Sequence, residues 1–181
     1  TREMIANLRQ QLGLNAPLFV QYGRYLWQMV TFNFGNSLVG AHRPILNEMS
    51  ERFPATLELV LPASILALLI GIYGGTLAAS KRKKVTDYAF RIYAVVIYSL
   101  PIFWLGLLLQ LLFGVKLGWL PISGRIDPVI QTSLTTHTNI YFIDSLLSLN
   151  WPAFLSVLQH LVLPTITLGL VQSGLFVRIT R

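Results

Sequence analysis

The sequence of 181 residues is 54% hydrophobic and only 12% charged, with a mean hydropathy of +0.60. Soluble globular domains carry about a quarter of their residues as charged side chains, so this composition excludes an ordinary soluble domain and predicts a membrane protein. The net charge of +7 does not spread over a surface: Lys81, Arg82, Lys83, Lys84 and Arg91 crowd into one short stretch, which reads as a topology signal, and no nucleic-acid partner is expected.

With no cysteine, the chain has no disulfide, thiol nucleophile or cysteine metal site. It opens at Thr1 without a signal-peptide pattern and stops directly after a helical pattern, so it reads as an internal piece of a longer polypeptide.

Residues 1–54 form a first, non-spanning segment. Over 2–12, Ile5, Leu8 and Leu12 share one helical face and predict a short amphipathic helix. Gly13 and Pro17 interrupt it. Residues 18–34 then carry Phe19, Tyr22, Tyr25 and Trp27 among Gln21, Arg24 and Gln28, a mixture suited either to an aromatic helix at the membrane interface or to a helix of a small subdomain. Phe34, Gly35, Asn36, Ser37 and Gly40 mark a turn, and a short polar helix over 44–52 leads to Pro54.

The first span is expected over 55–80. No charge occurs between 59 and 80, the length suits a membrane helix, and the basic loop 81–87 puts that end on the cytoplasmic side. Ala63, Ala67, Gly71, Gly75 and Ala79 recur at every fourth position, a ridge of small residues that lets another helix approach closely. Helix packing, rather than transport, is the reading for this ridge.

A second span is expected over 88–115, with Arg91 snorkelling towards the cytoplasmic surface and a central kink or break at Pro101. Backbone groups freed there must be satisfied by protein or a wet cavity, so Ser99 and Pro101 are pathway candidates, while a proline kink also serves as plain packing. Residues 116–153 hold few basic residues and belong outside, with Trp119 and Trp151 at the interface and an apolar stretch over 140–149 suited to a short helix. The third span, over 154–178, carries its own small residues Thr165, Gly169 and Ser173, and ends in a cytoplasmic 179–181. Its polar members His160 and Gln172, with Gln110 in the second span, complete the pathway candidates, although His160 also suits interfacial solvation near the outer end. The fold class is therefore all-α, a polytopic membrane protein with three spanning helices and external amphipathic helices.

No catalytic constellation emerges. His42, His137 and His160 are too far apart for a zinc-binding spacing, and His160 lies about 20 Å along its helix from Ser173, too far for a nucleophile and its base. A phosphate-binding glycine loop is absent, so energy for active transport would have to come from a partner. No cofactor and no metal site are expected. A non-transporting membrane scaffold remains the alternative to a solute pathway.

A more specific reading rests on resemblance. Arg52-Phe53-Pro54-Ala55-Thr56-Leu57-Glu58-Leu59, Ser99-Leu100-Pro101-Ile102-Phe103-Trp104, Leu117-Gly118-Trp119-Leu120-Pro121 with Ser123-Gly124-Arg125, and His160-Leu161-Val162-Leu163-Pro164 follow one another in order, with Phe34-Gly35-Asn36-Ser37 before them. Together they resemble the first permease subunit of bacterial peptide-importing ABC transporters of the dipeptide, oligopeptide and Sap type. The resemblance implies an inner-membrane permease with a second permease, two cytoplasmic ATPases and an external, periplasmic substrate-binding protein as partners. It implies di- or oligopeptide substrates, with cationic peptides, polyamines, opines and nickel chelates among relatives. It also implies that a first spanning helix precedes Thr1 and that the ATPase-coupling segment follows Arg181, leaving helices two to four here.

Overall fold

The computed structural model describes residues 9–10, 14–37 and 43–181. In chain order the helices are α1 (Leu18–Val30), α2 (Ile45–Ser80), α3 (Val85–Ser99), α4 (Ile102–Leu109, continued by a π-helical stretch Gln110–Lys116), α5 (Pro128–Gln131), α6 (Tyr141–Leu147) and α7 (Trp151–Thr180). Two compact units divide at Arg52 and Phe53. The amphipathic helix expected over 2–12 falls, apart from Arg9 and Gln10, outside the described residues, as do Gly40 and His42.

In the first unit, α1 begins after Pro17, whose fixed φ and missing N–H suit a helix start. Gln21 turns back to donate to the carbonyls of Leu14 and Ala16 at 3.0 and 2.7 Å, tying the preceding turn to the helix. No residue of α1 is buried. Its apolar and aromatic side chains, Leu18, Phe19, Tyr22 and Trp27 among them, are exposed.

In the second unit, α2 and α7 are each long and apolar enough to cross a membrane. The pair formed by α3 and the α4–π segment passes the same test only when taken together, with a bend of 98° between its halves. The proline at 101 therefore does more than kink a helix. Leu100 (φ −78°, ψ 129°) and Pro101 (φ −61°, ψ 126°) are both extended, because the proline ring disfavours helical backbone in the residue before it and cannot return a hydrogen bond. The expected second span is two helices meeting near a right angle.

The polar helix expected over 44–52 is not separate. It runs on through Pro54 and Pro62 into the apolar part of α2. Each proline removes one backbone bond, and the ladder on either side is enough to carry the helix across.

The small residues of α2 meet α7 closely. A Cβ added to Gly71 would lie 2.2 Å from the Phe176 Cβ, and one on Gly75 would lie 2.5 Å from that of Thr180. Gly169 of α7 makes the reciprocal approach to Leu66. The ridge departs from the every-fourth pattern at its end: Ala63, Ala67, Gly71, Gly74, Gly75 and Ala78 are buried, but Ala79 is exposed. Four residues advance more than one turn, so by Ala79 the row has rotated about 160° from Ala63, and a step of three restores the contact at Gly74 and Ala78.

α7 also packs against α3. Gly174 sits where a Cβ would come within 2.6 Å of Ile97 Cγ2, and the Tyr93 hydroxyl lies 2.6 Å from Ser173 Oγ. Asp87 closes the end of this contact: it is buried, accepts from the Lys83 N–H at 3.0 Å, and receives a two-pronged ion pair from Arg181.

The segment between the π-helix and α7 is folded, with a small core of its own. Ile126 and Leu134 pack with Ala153 and Val157 of α7, and Ile130, Tyr141, Phe142 and Leu161 complete the cluster. Asp127 caps α5 by accepting from the Val129 N–H at 2.8 Å, while its own N–H donates to Ser156 of α7 at 3.0 Å.

Candidate functional site

The π-helical stretch after α4 is the local oddity around which a site forms. Wider turns of this kind arise where a regular helix accommodates an inserted residue, and they recur at functional positions. Here the wide turn lets the returning chain close in: Gly114 leaves space that Ile122 fills, a Cβ there meeting Ile122 Cγ2 at 2.2 Å. Gln110, first residue of the stretch, donates from its side-chain amide to the Ile122 carbonyl at 3.0 Å. The irregular piece from Pro121 to Gly124 is thereby held between the π-helix and α7.

Together these elements border an open cavity of about 530 Å³ whose polar lining comes from Gln110, Ser123, His160 and Thr167, with Ile102, Gly106 and Leu163 among its apolar walls. None of the described residues that line it is a Lys, Arg, Asp or Glu. The imidazole of His160 is oriented by its own helix: Nδ1 lies 2.7 Å from the Ser156 carbonyl. A carbonyl only accepts, so Nδ1 carries a proton and donates it there, which leaves Nε2 turned away from this bond. One turn on, Pro164 has no N–H to give back to the His160 carbonyl. Opposite the ring stands Gly124 at φ +87°, a backbone conformation that strains any side chain and brings the main chain against His160.

A smaller cavity of about 340 Å³ shares Gly124, His160 and Pro164 and extends towards Ala55 and Glu58 of α2. Its polar wall is a buried ion pair. The Glu58 side chain is 3% exposed and accepts from Arg125 Nε at 3.2 Å and Nη2 at 2.5 Å, while its other oxygen accepts from the Phe142 N–H at 2.6 Å. Arg125 also donates to the Asn139 carbonyl at 2.9 Å and lies 3.9 Å above the centre of the Tyr141 ring. Both carboxylate oxygens are thus occupied, as a charge buried this far requires.

A second buried carboxylate orders the folded segment itself. Asp144 accepts from the N–H and hydroxyl of Thr138 at 2.9 and 2.8 Å. Burial pushes this carboxyl up, but the Thr138 bonds and the nearby N–H groups of His137 and Asn139 outweigh it and hold Asp144 below the usual carboxylate range.

The five pathway candidates do not converge. Gln110 and His160 line the same cavity, and Pro101 stands at the break immediately before its wall residue Ile102. Ser99 spends its hydroxyl on the Val95 carbonyl at 2.8 Å and faces a different cavity beside Arg91 and Gly174. Gln172 is half-buried on α7 and lines neither. Sequence reasoning missed Ser123 and Thr167 as cavity residues and Glu58 with Arg125 as a pair. The available signal for the pair was a lone acid at the head of an apolar helix, which demands a partner.

Residues 71–181 match the family described as binding-protein-dependent transport system inner membrane component. The chain belongs to this family. Among its curated relatives, this inner membrane component is 44% identical over 179 residues to a probable D,D-dipeptide transport system permease protein of Escherichia coli K12, covering 98% of this chain and 52% of the relative. It is 39% identical to a di/tripeptide transport system permease protein of Pseudomonas aeruginosa, over 99% of this chain and 52% of that protein. A dipeptide transport system permease protein of Alkalihalophilus pseudofirmus is 38% identical, over 99% and 53% respectively. The chain spans about half the length of the curated relatives it matches. The family match contains every lining residue of the Gln110–His160 cavity, whereas Glu58 lies before it.

Proposed function

We propose that this chain forms part of the translocation pathway of an ATP-driven, binding-protein-dependent importer of di- and oligopeptides, and that the cavity between Gln110 and His160 lies on that pathway. The observation that carries the reading is the cavity itself: uncharged, polar at a few points, and placed beside a broken helix. Non-helical backbone at membrane depth is tolerated where it lines a wet space; the Pro121–Gly124 stretch lines this cavity, and the extended Leu100–Pro101 immediately precedes its wall residue Ile102. A lining without fixed charge suits passage of many peptides, since no counter-ion holds one terminus too tightly to leave. The names of the relatives, dipeptide, di/tripeptide and D,D-dipeptide permeases, favour short peptides as cargo.

In this reading the basic loop at Lys81–Lys84 is cytoplasmic and the folded segment carrying Asp127 and Asp144 is external, where it receives a substrate-binding protein. A second permease completes the passage. ATP hydrolysis is assigned in this reading to two cytoplasmic partner subunits, and their cycle opens the passage alternately to each side.

Uptake of labelled dipeptide into right-side-out vesicles tests the pathway. His160→Leu and Gln110→Leu should each lower ATP-dependent uptake several-fold while the protein stays in the membrane, and Gln172→Leu should not. Uptake unaffected by either cavity substitution would remove the cavity from the pathway. The orientation has a separate test: Thr136→Cys should react with an impermeant external reagent and Thr86→Cys should not, and the opposite labelling would invert the topology.

A further inference from the structure

Further along α7 than the Gln110–His160 cavity, towards its C-terminal end, α3 and α7 part into a cleft of about 410 Å³. Its rim carries three guanidinium groups, Arg91 of α3 with Arg178 and Arg181 at the end of α7, and its wall is formed by Val95, Tyr98 and Leu175. The charges do not balance locally. Arg181 is taken up by Asp87, whose two oxygens are filled by Arg181 and the Lys83 N–H, and Arg91 and Arg178 form no ion pair among the described residues. One buried carboxylate thus faces three cations.

The vertical order of these groups matters. Arg91 lies about 9 Å along α3 from its first residue, and Arg178 in the last turn of α7, so both sit near the end marked by Lys81–Lys84. Val95 and Tyr98 follow one and two turns deeper along α3, and Leu175 one turn deeper along α7. Between the helices the floor is narrow, because Gly174 brings α7 against the Ala94 carbonyl and Ile97. A cationic rim above an apolar, aromatic-walled trough matches a molecule with an anionic head and a hydrocarbon tail. A small anion would leave the trough empty, and a zwitterionic head would bring a positive group towards the arginines.

We propose that this cleft is a binding site for an anionic phospholipid, its phosphate held by Arg91 and Arg178 and one acyl chain lying along Val95, Tyr98 and Leu175. Arginine suits the task because its planar fork donates two parallel hydrogen bonds to phosphate oxygens. The lipid phosphate supplies the ion-pair partner that Arg91 and Arg178 do not have among the described residues. The inference is independent of what the pathway carries.

Native mass spectrometry of the purified full-length protein, titrated with phosphatidylglycerol and separately with phosphatidylcholine, tests it. The first phosphatidylglycerol should bind at least about tenfold tighter than phosphatidylcholine, and joint Arg91→Ala and Arg178→Ala should abolish that preference. Two further variants guard against a folding artefact: Arg91→Lys with Arg178→Lys should keep most of the preference, and Val95→Trp, with every charge in place, should weaken binding by filling the trough. Equal binding of the two lipids, or a preference that survives the double alanine variant, overturns the proposal. So does a photo-crosslinker at Tyr98 that captures polypeptide in the intact complex instead of lipid.

Discussion

Around Gly71 and Gly75, α2 touches α7 with no room for one added methyl group, whereas around Glu58, about 20 Å earlier along α2, an ion pair and a folded segment stand beside open cavities. α2 is thus held in two ways, by α7 at one end and by the folded segment at the other. Where small residues let the backbones approach, contact is dry and leaves no space for a solute. Where the glycines give out, the polar bonds of Glu58 and Arg125 hold the structure across a gap. The first region is a close seam, and the second keeps open space between its elements.

The sharpest way to break this contrast is at Arg125. Arg125→Ala strands a carboxylate that is 3% exposed, while Glu58→Gln leaves a guanidinium that is 32% exposed and can reach water. Thermal unfolding of the detergent-solubilised protein should show a loss of about 3 kcal/mol for the first and visibly less for the second. Equal losses would mean that the pair is more open than its geometry indicates.

On the seam, Gly71→Ala should cost about 1–3 kcal/mol, because its methyl group collides with the Cβ of Phe176 and lies 3.2 Å from two of its backbone atoms. Gly23→Ala, where nothing lies within 4 Å, is the control and should not destabilise. A seam that tolerated Gly71→Ala equally well would not be held by close approach.

Acid should affect the polar region first. The folded-state pKa of Asp144 is lowered from 3.8, so its contribution to stability is fully present above that value and fades as pH falls through the lower folded-state value. Hydrogen exchange of residues 138–145 should therefore accelerate below about pH 4, and Asp144→Asn should already exchange fast at neutral pH. The smallest effect is expected at the helix contact beyond the seam. Ser173→Ala removes the bond to Tyr93 and should cost about 0.6 kcal/mol, the usual scale of one interhelical hydrogen bond in a membrane protein.

Hydrophobic length made α2 and α7 legible, since a long uncharged run can lower its free energy in lipid only as a helix. Most of the ridge was legible too, but Ala79 was not, because a strict four-residue repeat drifts around the helix and the packing partner decides where the row must shift. Pro101 announced an interruption, yet its angle of 98° depends on what receives the two arms. The candidate site was half visible. His160 and Gln110 stood out as polar residues in apolar helices, but nothing in their spacing brings residues on different helices to one cavity while leaving Ser99 and Gln172 elsewhere.

By itself, then, the sequence determined what local physics controls: an all-helical membrane chain, its apolar spans, the basic loop between α2 and α3, and the stretches that mark its family. The tertiary structure alone decided which polar residues meet. Closing the chain between Leu117 and Asn150 onto α7 joins Arg125 to Glu58 and sets Gly124 against His160. Such contacts link residues far apart in sequence, and their geometry follows from how helices and loop pack together, which no local pattern of residues encodes.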